Sequence, residues 1–229
     1  MSGATTIEGI AAVIAIDNLD TDQIMPKQFL RGIDKRRLDR GLLWDLRFDA
    51  SGSPRPDFVL NRPACAGVRI LIGGANFGCG SSREHAVWGL QQFGIDAVIA
   101  PSFGEIFYSN ALNNGLLAVM LQPEDVQALM AEAAQDTATP GTAPLRMTID
   151  LKKLSVSTPH LNLHFSMAER HRRMLLDGTD MIGATLAMQS KIDAFAHLHW
   201  AERPWLRDVA SRLRQRLEDG DSASKPIHP

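Results

Sequence analysis

The stretch Gly73-Gly74-Ala75-Asn76-Phe77-Gly78-Cys79-Gly80-Ser81-Ser82-Arg83-Glu84-His85-Ala86 is a glycine- and serine-rich turn set between two apolar segments. The run Val68–Ile72 before it is short and β-branched, as a strand requires, and the residues from about Ser82 onward have helical character. Strand, tight turn and helix in that order make the repeating unit of an α/β sheet. Glycines allow the sharp turn and bring backbone amides close to a ligand. A helix N-terminus facing such a turn favours an anion, a carboxylate for example, by ~0.3–1 kcal/mol when exposed. The same letters also spell a capping box, Ser81 followed three residues later by Glu84, which needs no function at all. The usual nucleotide loops are excluded: Arg83 stands where the third glycine of G-x-G-x-x-G belongs, and no Gly-Lys-Ser/Thr follows.

Working outward, further β-branched runs at Val13–Ile16, Ala97–Ile99 and Leu116–Leu121 alternate with helix-compatible segments starting near Phe103 and Glu124, which extends the α/β pattern. A long insertion, about 23–62, separates the first two strands; it carries a basic stretch and a turn-rich Ala50–Pro54 segment, and loops of this length are more often functional than decorative. Asp136–Thr142 reads as a connector before strand-like Arg146–Leu151 and Leu161–Phe165, with helices to finish. The pattern gives one domain over 1–205 and a polar tail over 206–229, where a charged helix-compatible stretch runs into Gly-Asp-Ser-Ala-Ser-Lys-Pro, a composition that favours exposure and disorder.

At 229 residues with 45% hydrophobic content the chain can bury a proper core, and a formal charge of only −2 gives no electrostatic case for nucleic acid or an anionic membrane. Cys65 and Cys79 are the two cysteines, in no spacing that builds a zinc or iron-sulfur site, so the chain is expected to bind no metal of its own. The apolar run Ile10–Ile16 is far too short to span a bilayer and lacks a basic segment before it. It reads as a buried strand of a cytoplasmic protein with both thiols reduced.

Asn76-Phe77-Gly78-Cys79-Gly80-Ser81-Ser82-Arg83-Glu84-His85-Ala86 resembles the signature loop of the swivel domain in the aconitase superfamily, and most nearly that of the 3-isopropylmalate dehydratase small-subunit family. Companion segments agree in order: Asp20–Leu30, Pro101-Ser102-Phe103, Ile106-Phe107-Tyr108, Asn113-Asn114 and Leu175–Gly183. The resemblance spans roughly Ile7 to Pro204. It implies a swivelling β/β/α domain and a hydro-lyase that works only with a large subunit, on which a 4Fe-4S cluster is expected. By motif position Ser81 would take the proton from the substrate carbon, with Ser82 and Arg83 binding the substrate. Asp22 would orient a charged neighbour, and Arg31, nine residues later, would be a further substrate arginine. Without the resemblance, Asp20 and Asp22 suit an Asx turn; calcium is discounted because the glycine and glutamate of an EF-hand loop are missing. Cys79 reads as a small residue in a tight turn and His85 as structural.

The chain departs from the family after Phe29-Leu30. Where bacterial relatives carry Arg-Thr-Gly-Phe-Gly or similar, this sequence has Lys35-Arg36-Arg37-Leu38-Asp39. A small-molecule di- or tricarboxylate is the substrate class the resemblance implies; three cations in a row suit a solvated face, or the recognition of a substrate more anionic than isopropylmalate, such as a tricarboxylate. The resemblance therefore implies interconversion of 2- and 3-isopropylmalate in leucine biosynthesis, with homoaconitate, citraconate or another substituted malate as alternative substrates. A binding protein without catalysis is the reading from another class.

Overall fold

The computed structural model describes residues 5–30, 36–138 and 144–222. Strands β1 (Thr6–Ile14), β2 (Val68–Gly73), β3 (Ala97–Ala100) and β4 (Leu117–Met120) are the β-branched runs of the sequence, and β5 (Arg146–Asp150), β6 (Ser155–Ser157) and β7 (Asn162–His164) follow. They form one mixed sheet of seven strands in the order β4-β3-β2-β1-β5-β6-β7. β1 to β4 pair in parallel, and β5 to β7 are added antiparallel on the other side of β1. Helices α1 (Thr21–Ile24), α2 (Trp44–Arg47), α3 (Glu84–Phe93), α4 (Glu105–Asn113), α5 (Pro123–Ala138) and α6 (Glu169–Asp177) connect and cover it.

The period-2 alternation of the parallel strands divides their side chains between two cores. Leu71, Val98, Ala100 and Ala118 face one side, where Ala86, Val87 and Leu90 of α3 and Phe107, Ala111 and Leu112 of α4 close over them. Ile70, Ile72, Ala97, Ile99, Leu117 and Val119 face the other, under Val126, Leu129 and Ala133 of α5. Burial on both faces explains why these strands are uniformly apolar in the sequence. β1 begins seven residues before the expected Val13 because its first half alternates buried Ile7 and Gly9 with exposed Thr6 and Glu8, leaving no continuous apolar run.

The insertion is built, not loose. Leu38, Leu42, Leu43 and Leu60 enter the core beside α3, and the Leu38 N–H donates to Gln92 Oε1 at 2.9 Å. Half-buried Arg47 donates to the Leu42 carbonyl at 3.2 Å and to Asn61 Oδ1 at 3.2 Å, and burial lowers its pKa below the usual arginine value. α5 continues through Asp136–Ala138 of the expected connector; 139–143 lie outside the described residues, as do Arg31 and Lys35.

The chain divides into two compact units, Met1–Met181 and Ile182–Pro229, so the division falls before the change of composition near 205. Taken by itself, the second unit is helical. α7 (Met181–Leu186) leads into it, followed by α8 (Gln189–Glu202) and α9 (Val209–Ser222), so most of the expected tail is helix; 223–229 lie outside the described residues. No described residue of this unit is buried, and Ile182, Phe195, Leu198 and Trp205 are each more than 60% exposed.

Leu71 is fully buried at the centre of the sheet. Leu71→Ala is expected to lower the unfolding free energy by ~2–5 kcal/mol, read as a lower urea midpoint with an unchanged m-value.

Candidate active site

The loops leaving the C-terminal ends of β1, β2 and β3 meet, and the one after β2 is bound on both sides. Toward the β1 loop, Asn18 N–H donates to the Ala75 carbonyl at 2.8 Å, Gly78 N–H to Leu19 at 2.7 Å and Thr21 N–H to Cys79 at 2.9 Å. Toward the β3 loop, Phe77 N–H donates to Ser102 at 3.0 Å and Gly104 N–H to Phe77 at 2.9 Å. Side chains complete the network: Asp17 Oδ1 accepts from Ala75 N–H at 2.7 Å and Ser102 Oγ from Asn76 N–H at 2.8 Å. Polar backbone that would otherwise lack partners is thus paired, and the loop behaves as a short extension of the sheet.

Two glycines are needed for this path. Gly78 has φ +73°, and a Cβ there would lie 2.2 Å from the Phe107 ring; Gly80 has φ +90°. Phe77 is buried between them and β2, edge-on to Phe103 and Phe107 with centroids 6.1 and 5.4 Å away. The chain therefore approaches α3 on a fixed track.

The capping box expected at Ser81 does not form. α3 starts at Glu84, its N-cap is Arg83, and no side chain caps it. Gly80 turns the chain away, and the Ser81 carbonyl is held by the Thr21 hydroxyl at 2.8 Å, so Ser81 stays outside the helix. A capping box does exist, at α1: Asp20 Oδ1 accepts from Gln23 N–H at 2.7 Å and Gln23 Oε1 from Asp20 N–H at 3.1 Å. This gives Asp20 the turn role expected for it and separates it from Asp22.

Asp22 forms an ion pair with Arg83 and lies 3.7 Å from Lys27 Nζ. The Arg83 side chain is 18% exposed and that of Asp22 40%, so the pair is partly withdrawn from solvent. Ser81 and Ser82 are exposed. Four of the five expected site residues, Asp22, Ser81, Ser82 and Arg83, are therefore brought to one place, at the start of a ten-residue helix. Arg31 lies outside the described residues, and Arg36 and Arg37 are exposed. Thr21, Lys27 and Ser102 also shape the site and were not singled out from the sequence, although each sits inside a quoted motif. α3 is itself anchored by Asn114, which accepts from Trp88 Nε1 at 2.9 Å and, through its carbonyl, from Gln91 Nε2 at 2.8 Å.

Two exposed hydroxyls, a guanidinium and a helix N-terminus can bind a carboxylate and place an oxygen base beside it. Cys79 Sγ sits in the turn, 3.3 Å from the Asn18 carbonyl, and Cys65 is buried, with its thiol pKa pushed up by burial. Among the described residues no group of three or more His, Cys, Asp or Glu side chains is placed to hold a metal. A cavity of about 350 Å³ lined by Val13, Phe58, Cys65, Met130 and Leu145 includes none of the site residues. No described helix is long and apolar enough to cross a membrane.

Because Ser81 caps nothing, Ser81→Ala is expected to change the unfolding free energy by less than ~0.5 kcal/mol, whereas Gly78→Ala should cost more than ~1 kcal/mol through its positive φ and the Phe107 contact. Urea unfolding of both variants checks this; a Ser81→Ala loss near 1 kcal/mol would restore the capping role.

Comparison with known proteins follows the same lines. Residues 1–124 match the family described as the aconitase C-terminal domain. The 3-isopropylmalate dehydratase small subunit 1 of Chromobacterium violaceum is 60% identical over 213 residues, covering 93% of this chain and 98% of that protein. The small subunit of the same name from Phenylobacterium zucineum is 43% identical over 207 residues, covering 90% and 98%. Among solved structures, a 3-isopropylmalate dehydratase chain from Methanocaldococcus jannaschii matches with a TM-score of 0.58 and 27% identity, covering 81% of this chain and 98% of that one.

Proposed function

We infer the function from one premise: this chain belongs to the small-subunit family of 3-isopropylmalate dehydratase, and so to the proteins with an aconitase C-terminal domain. It is the small subunit of a hydro-lyase that interconverts 2-isopropylmalate and 3-isopropylmalate by dehydration and rehydration in leucine biosynthesis. We place the acid-base half of the active site at Ser81, Ser82, Arg83 and Asp22. One observation carries that assignment: the two serines stand exposed at the start of α3 with no capping duty, next to an arginine held by Asp22.

In this reading Ser81 Oγ, as an alkoxide, takes the proton from the carbon adjacent to the one bearing the hydroxyl. The C–H electron pair forms the alkene as the C–O bond breaks and the hydroxyl leaves as hydroxide; hydroxide then adds to the carbon that lost the proton, and Ser81 returns its proton to the carbon that first bore the hydroxyl. A serine is a poor base in water, so its alkoxide needs stabilisation; the first-turn amides of α3, its helix dipole and the Arg83 charge are the groups at hand. Arg83 grips a substrate carboxylate, Ser82 adds a hydrogen bond, Asp22 fixes the guanidinium, and Arg31 serves as a second carboxylate anchor.

Lewis-acid assistance to the departing hydroxyl is the chemistry that a 4Fe-4S cluster supplies. The chain's own residues do not fit such a cluster, since it has two cysteines, one of them buried and the other in a tight turn. We assign the cluster to a large subunit that docks over the exposed serines, and the assembly to the cytoplasm. The exposed Ser81 loop suits an active site shared between two chains.

Anaerobic reconstitution with the large subunit tests this, following alkene absorbance with 2-isopropylmalate. Wild type is expected to turn over and Ser81→Ala to lose ~10²-fold or more in kcat while still forming the complex. Arg83→Lys should raise KM through loss of the two-pronged carboxylate grip. Comparable turnover by wild type and Ser81→Ala would remove the serine from the chemistry, and complex formation with no turnover would favour a binding role.

A further inference from the structure

Lys27 has no part in the reaction as described, yet it shares the carboxylate that holds the substrate-binding arginine. Asp22 Oδ1 faces Arg83, and Asp22 Oδ2 lies 3.7 Å from Lys27 Nζ. The two cations differ in setting: the Arg83 side chain is 18% exposed and that of Lys27 75%. Lys27 is nonetheless fixed at its base. Ile24, Met25 and Pro26 before it are buried, and the turn Lys27–Phe29 is closed by Phe29 N–H to the Pro26 carbonyl at 3.0 Å and Leu30 N–H to the Lys27 carbonyl at 3.1 Å.

We propose that Lys27 is a positioning residue, which by drawing on one oxygen of Asp22 keeps Arg83 available for the substrate carboxylate. This rests on the assignment of Arg83 as the substrate-binding arginine. The physical reason is competition. A carboxylate offered a single guanidinium takes it in a two-pronged grip and neutralises it. A carboxylate that also serves an ammonium on its second oxygen binds each cation less completely, and the site keeps one net positive charge among the three groups. Without Lys27 both oxygens of Asp22 turn to Arg83, and an incoming dicarboxylate must displace them. The effect acts on binding, so it appears in KM and not in kcat.

The experiment uses the reconstituted enzyme with 2-isopropylmalate and compares wild type, Lys27→Met and Lys27→Arg. Lys27→Met is expected to raise KM about three- to fivefold, the range of an exposed ion pair, with kcat unchanged. Lys27→Arg should restore wild-type KM. The difference should shrink between about 0.05 and 0.5 M salt, because Lys27 is exposed to screening. A KM for Lys27→Met equal to wild type, a loss confined to kcat, or a failure of Lys27→Arg to restore KM would each overturn the proposal. Failure of the underlying assignment looks different: Arg83→Lys would then leave KM untouched, whatever Lys27 does.

Discussion

An ion pair between Asp22 and Arg83 closes the junction between the loops that leave β1 and β2, and the site depends on it. Hydrogen bonding to the neighbouring loops carries the β2 loop as far as Cys79, whose carbonyl accepts the last backbone link from Thr21 N–H. Beyond that point the Thr21 hydroxyl on the Ser81 carbonyl and the Asp22 carboxylate on Arg83 define where the serines stand. Both contacts come from adjacent residues of one short turn. That turn is in turn rigid because Asp20 and Gln23 cap it reciprocally and Ile24 and Met25 are fully buried beneath it. Order thus passes from the core, through α1, to the hydroxyls.

Most of this architecture was legible in the sequence. Strands β1 to β4 were marked by β-branched runs because both faces of the sheet are covered, and α3, α4 and α5 begin within two residues of their expected starts. β6 left no mark, since Ser155–Ser157 is too short to show a period. The insertion read as a long loop because its apolar residues, Leu38, Leu42, Leu43 and Leu60, are spaced by tertiary packing and follow neither helical nor strand period. The start of β1 was hidden by exposed Thr6 and Glu8.

Within the site, the capping pattern alone does not decide what Ser81 does. Ser81-x-x-Glu84 and Asp20-x-x-Gln23 both satisfy the capping pattern, and only the second forms the box. The difference lies in Gly80, whose φ of +90° sends the chain off the helical path, and in the Thr21 bond that holds Ser81 there. Neither is visible locally, because each depends on a loop about 60 residues away in the chain. The resemblance implied only that Asp22 orients a charged neighbour; that the neighbour is Arg83 was not legible, since nothing in the spacing of the two residues brings them together. Their meeting is a consequence of β1 and β2 being neighbours in the sheet.

A double-mutant cycle on this pair tests the account most directly, with kcat/KM of the reconstituted enzyme measured for Asp22→Ala, Arg83→Ala and the double variant. If Asp22 acts by holding Arg83, the double variant loses little more than Arg83→Ala alone, giving a coupling within the ~0.5–3 kcal/mol range of contacting residues. If instead the two losses multiply, Asp22 and Arg83 act independently, and the ion pair is not what sets the loop against its substrate.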